Sequence, residues 1–96
     1  MKLNENETDI LRRLLDVAYR DSGQSRKVAN LLLSWWNADT CGALDLRDLW
    51  GLDTEIKIDA VKMIVIITAK GHYPDSLGFE REFKKLVRLW RPHLLK

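Results

Sequence analysis

The chain has one cysteine, Cys41, so no disulfide framework can staple it. It has only two prolines and five glycines in 96 residues, too few for a turn-rich all-β chain or a low-complexity linker. No apolar run approaches the ~18 residues of a membrane-spanning helix, and no Gly-rich phosphate loop is present. The segment from Met1 to Asp9 is polar and acidic, unlike a secretory signal, so a cytoplasmic location is the default expectation. Cys41, His72 and His93 stand far apart with no metal-ligand spacing, and Asp39, Thr40, Cys41, Asp45 and Asp48 do not follow a calcium-loop pattern. Neither a metal nor an organic cofactor is expected. Ser76, His72 and Asp75 are the nearest approach to a nucleophile, base and orienting group. They crowd one turn, where turn chemistry accounts for them. No enzymatic activity is expected.

What is present is helical periodicity. Apolar residues make up 46% and charged ones 31%, enough for one core in one domain. The spacing predicts a helix over about 9–20, with Ile10, Leu14 and Val17 beside Leu11, Leu15 and Ala18, capped by Asn6 or Thr8 and ended by Gly23. A second helix is predicted over about 25–37 (Val28, Leu31, Leu32, Trp35, Trp36), capped by Ser22 or Ser25 and followed by a loop to Gly42. A short helix over 46–50 follows, with Asp45 as cap, Asp48 in a carboxylate capping box, and Leu46, Leu49 and Trp50 on one side. The run Met63 to Ala69 is uncharged and continues the stripe of Ile56, Ala60, Ile64 and Ile67. It reads as a helix over about 55–70, apolar all round and therefore central. A last helix over about 79–90 carries Phe79, Phe83, Leu86, Val87 and Trp90, and the turn before it is expected to pack Tyr73. The expectation is an all-α bundle of about five helices, one short, with residues 1–8 as a flexible N-terminus and residues 9–96 as a single helical domain.

Charge is distributed unevenly around a net of +2. Asp39, Asp45, Asp48, Asp53, Glu55 and Asp59 face only Arg47 and Lys57 in the middle of the chain, whereas the last helix is basic. At ~100° per residue, Arg81, Lys84, Lys85, Arg88 and Arg91 fall within roughly 120°, opposite Phe83 and Trp90. Arg12, Arg13, Arg20, Arg26 and Lys27 form a second basic group. The four tryptophans lie on apolar sides; Trp36 and Trp50 border loops and are the ones expected to keep an exposed edge, where a Trp serves as an anchor. The expected contact residues are therefore Arg81, Lys84, Lys85, Arg88, Arg91, Trp36 and Trp50, with Asp45 and Asp48 standing for the acidic segment. A protein partner is expected. The apolar second and fourth helices could alternatively feed a homodimer. Nucleic acid is the less favoured partner, because the helix after Asp21-Ser22-Gly23-Gln24 offers only Gln24, Arg26, Lys27 and Asn30 to a groove.

Three strings carry a further likeness: Gly23 to Ala38 (GQSRKVANLLLSWWNA), Asp45 to Trp50 (DLRDLW) and His72 to Gly78 (HYPDSLG). Together they resemble a family of small proteobacterial proteins of unknown function found on plasmids and integrative elements, over about Leu14 to Leu95. The resemblance implies no catalytic residue. It implies a mobile-element setting, where proteins of this size act by binding host or element proteins, anti-CRISPR inhibitors among them. The expectation is a non-enzymatic protein-interaction module; the alternatives are an anti-defence inhibitor of a host effector complex and a nucleic-acid-binding helical protein.

Overall fold

The structure is a computed structural model and describes residues 2–95; Met1 and Lys96, the latter counted with the basic segment, lie outside the described residues. Four α-helices, α1 (Glu5–Ala18), α2 (Gly23–Cys41), α3 (Thr54–Lys70) and α4 (Glu80–Trp90), are described, and short 3₁₀ turns at Leu46–Gly51, Pro74–Leu77 and Pro92–Leu95 follow α2, α3 and α4. No strand occurs among the described residues. The Cα radius of gyration is 12.3 Å, close to the ~13 Å expected of a single domain near this length.

α2 occupies the middle. It buries Ser25, Val28, Ala29, Leu31, Leu32, Leu33, Trp35 and Cys41, and it packs on α1 to one side and α4 to the other. Phe83 of α4, fully buried, meets both neighbouring indoles. The Trp35 ring approaches it edge-on at 5.5 Å and the Trp36 ring stacks at 5.8 Å. Two indole N–H groups tie elements together: Trp35 Nε1 donates to the His72 carbonyl at 2.9 Å, and Trp90 Nε1 donates to the Ala18 carbonyl at 2.8 Å. Each gives the one polar atom of a buried (Trp35) or half-buried (Trp90) ring a partner.

Several expected boundaries shift, each for a local reason. α1 begins at Glu5, so residues 5–8 form its first turn instead of preceding it. Asn4, not Asn6 or Thr8, is the cap: its Oδ1 accepts from the Glu7 amide at 2.8 Å while Glu7 Oε1 accepts from the Asn4 amide at 2.9 Å. That reciprocal pair satisfies two otherwise free donors at once. Gly23 does not end α1; Tyr19 does, and Gly23 opens α2 after the Ser22 cap, whose Oγ accepts from the Ser25 amide. α2 runs on through the expected loop to Cys41. Only Asn37 leaves helical geometry (φ −165°, ψ 93°), and its Oδ1 accepts from the amides of Asp39 and Thr40 at 3.1 and 3.3 Å. Asn37 thus acts as an internal cap that starts a final turn. Asp45 caps the 3₁₀ turn as expected, but Asp48 does not close a capping box, and Leu46 and Trp50 point outward. In the turn before α4, Pro74 and Leu77 are buried while Tyr73 stays exposed.

The main correction concerns α3. It buries only Ala60, Met63 and Ile66, and lies largely on α1. Two ion pairs hold it there, Arg13 to Asp59 at 2.8 Å and Lys70 to Glu7 at 3.4 Å. Ile58, Val61 and Val65 face outward at 48%, 49% and 63% exposure. α3 is therefore peripheral despite its hydropathy, because α2 already fills the space between α1 and α4. Gly71 ends it in the left-handed region (φ +65°), as expected.

Candidate interaction surface

α4 buries Phe83, Leu86 and Val87 and turns its charged side outward. Arg81, Lys84, Lys85 and Arg88 are all exposed. Lys84 makes a loose pair with Glu80 at 3.8 Å, an exposed i,i+4 contact of about 0.3–0.5 kcal/mol at best. Lys85 Nζ lies 4.1 Å from the centre of the Tyr19 ring. Burial, followed by the nearby Glu82 carboxylate, raises the pKa of the Tyr19 phenol, which donates to the Glu82 carbonyl at 3.2 Å. Arg81 and Arg88 have no carboxylate within 4.0 Å among the described residues.

Arg91 is the exception on this side. Its guanidinium folds inward, with Nε donating to the Cys41 carbonyl at 3.0 Å, Nη1 to the Trp90 carbonyl at 3.0 Å and Nη2 to Asn30 Oδ1 at 2.9 Å. It is a tie between α4 and α2, not part of the free ridge. Asn30 also donates to Asp48 Oδ2 at 3.4 Å. Arg91 and Asp48, both expected on the contact surface, are thus drawn together through one amide.

The acidic segment does not form one negative surface. Asp59 is held bidentately by Arg13, and that hydrogen bond is the largest influence raising the Arg13 pKa. Asp45 accepts from both the side chain and the backbone of Arg47, and these contacts lower its pKa from 3.8 to about 2. Trp50 is 76% exposed on the same turn. The polar residues at the start of α2 are likewise engaged: Gln24 donates to the Gly51 carbonyl at 2.7 Å and accepts from the Asp53 amide at 2.9 Å.

Trp36 stands between two depressions. One, of about 360 Å³, lies against α4. Trp36 and Thr40 form one wall, Lys84 and Arg88 the other, and Val87 and Leu94 add apolar surface. The second, of about 580 Å³, lies at the Asn37 break, where Trp35, Trp36 and Asp39 meet Tyr73 and Asp75 of the distant turn. The sequence places Trp36 with the basic residues and Asp39 in the acidic segment, but does not bring Asn37, Tyr73 and Asp75 to the same surface. The only local signal was an Asn two and three residues before amides it could cap.

A family model described as a family of unknown function, DUF7673, matches residues 8–91. The chain belongs to the DUF7673 family. The match runs from the first turns of α1 to Arg91, so the DUF7673 segment contains the exposed face of α4 and the whole Asn37 cleft, while Leu94 lies just beyond it. No curated protein and no solved structure matches this DUF7673 chain.

Proposed function

We propose that this DUF7673 protein is a non-enzymatic protein-interaction module whose α4 face receives an acidic partner segment carrying an apolar anchor. One observation carries the reading. Lys84 and Arg88 stand at the rim of a cleft that Trp36 walls and Val87 and Leu94 make apolar. Such a site matches a carboxylate flanking a buried aliphatic or aromatic side chain, with cations steering the encounter and the Trp edge supplying contact area. Following the mobile-element resemblance, the partner would be a host or element protein, an anti-defence target among them.

The four exposed cations of α4 also favour a second reading, phosphate binding. It ranks lower because Gln24 and Asn30 are occupied within the fold and so are not offered to base edges.

The test is capture of partners by the intact protein and by the triple variant Arg81→Glu, Lys84→Glu, Arg88→Glu. All three side chains are exposed, so the fold should persist. The proposal expects the partner set to disappear. An unchanged set from the folded variant would refute it, and duplex DNA binding with a steep salt dependence would favour the second reading.

A further inference from the structure

We propose that the cleft at the Asn37 break binds an organic cation, a guanidinium or alkylammonium group. This site is separate from the α4 face and of opposite sign. Its volume of about 580 Å³ falls within the ~300–1,000 Å³ range of ligand clefts. No basic side chain lines it. Asp39 and Asp75 come to it from elements 36 residues apart in sequence, and neither has a cation within 4.0 Å among the described residues. Both carboxylates therefore add to the local negative potential instead of cancelling it.

Three aromatic side chains, Trp35, Trp36 and Tyr73, line the cleft as well, beside Ser34, Asn37 and Ala38. Tyr73 is 65% exposed although its neighbours Pro74 and Leu77 are buried. The faces of such rings carry negative quadrupole density and attract cations within about 6 Å. The two indoles cannot drift: Trp35 is held by its bond to the His72 carbonyl and Trp36 by its stack on Phe83. The same His72 bond anchors the turn that supplies Tyr73 and Asp75.

Two carboxylates and three rings therefore converge on one space. Their shared preference is a soft, delocalised or alkylated cation. The source is either a free polyamine or an arginine or lysine side chain of a partner.

The experiment uses the intact chain, with the four indole N–H signals and the backbone amides followed by NMR. The probes are N-acetyl-arginine methylamide, spermidine and, as a neutral isostere of arginine, N-acetyl-citrulline methylamide, each to about 10 mM. The Trp36 indole and the Tyr73 and Asp75 amides should shift saturably with at least one cation and not with the citrulline compound. Tighter binding of spermidine points to the free amine, and tighter binding of the arginine compound to a protein side chain; either supports the site. The double variant Asp39→Asn, Asp75→Asn should weaken binding about ten-fold, as the loss of a charged contact does. Tyr73→Ala should weaken it as well. These positions are exposed, so an unchanged spectrum elsewhere verifies the fold. Arg88→Glu should leave it intact, which separates this site from the α4 face. No saturable shift with either cation, an equal response to the citrulline compound, or undiminished affinity in the Asn variant would overturn the proposal.

Discussion

The guanidinium of Arg91 donates to Asn30 Oδ1 at 2.9 Å, joining the end of α4 to the middle of α2 across 61 residues of sequence. With its bonds to the Cys41 and Trp90 carbonyls, it satisfies three acceptors from one fork. Arg91→Ala should therefore destabilise the fold by about 1.5–3 kcal/mol in urea denaturation, the range for hydrogen bonds to charged groups. Lys should not rescue it, because an ammonium lacks the planar fork. Arg88→Ala, on the free ridge, should change stability by less than about 0.5 kcal/mol. Equal effects at the two positions would contradict the distinction between tie and ridge.

The peripheral place of α3 makes a second contrast. Met63 is fully buried against the core, whereas Val65 is 63% exposed two residues later. Met63→Ala should cost about 2–5 kcal/mol, from lost burial and the cavity left behind. Val65→Lys should change stability by less than about 0.5 kcal/mol. If α3 were central, as its hydropathy suggests, Val65→Lys would be the more damaging change.

Asp45 offers a test by pH. Arg47 donates to it from side chain and backbone and holds its carboxyl at about 2, below the ordinary 3.8. A folded value below the unfolded one means the stabilisation is present above about pH 4 and is lost as pH falls towards the folded value. An NMR titration should place the Asp45 midpoint near 2 in the parent protein. In Arg47→Ala it should return towards the ordinary carboxylate range. A midpoint unchanged by the substitution would show that Arg47 is not the cause.

Much of this architecture is legible in the residues. The 3.6-residue stripes locate all four α-helices, and the stripe of Phe83, Leu86 and Val87 correctly separates the buried from the charged side of α4. What hydropathy cannot supply is competition for space. The run Met63 to Ala69 is as apolar as α2, but α2 reaches α1 and α4 together and leaves α3 an outer berth. For the same reason the pairing of helices two and four in a homodimer loses half its surface: the apolar side chains of α2 are sheathed, and only Ile58, Val61 and Val65 of α3 remain outside.

Side-chain reach is the other illegible quantity. Arg91 has the same helical phase as the exposed cations, and only the proximity of Asn30 and the Cys41 carbonyl turns it inward. Asn37 reads as a loop residue because its type favours turns, yet its amide oxygen replaces the backbone acceptor and lets the helix resume. Tyr73 and Asp75 come more than 30 residues after Trp36, so no local pattern could bring them to the same cleft.

The most direct test of the α4 face as the contact surface is photocrosslinking in cells. A benzophenone amino acid would replace Thr40, exposed beside the cleft of Lys84 and Arg88, or Val65, exposed on the outer side of α3. The account predicts a crosslinked protein partner from position 40, abolished when Arg81, Lys84 and Arg88 are changed to Glu. A partner captured only from position 65, and indifferent to those charges, would contradict it.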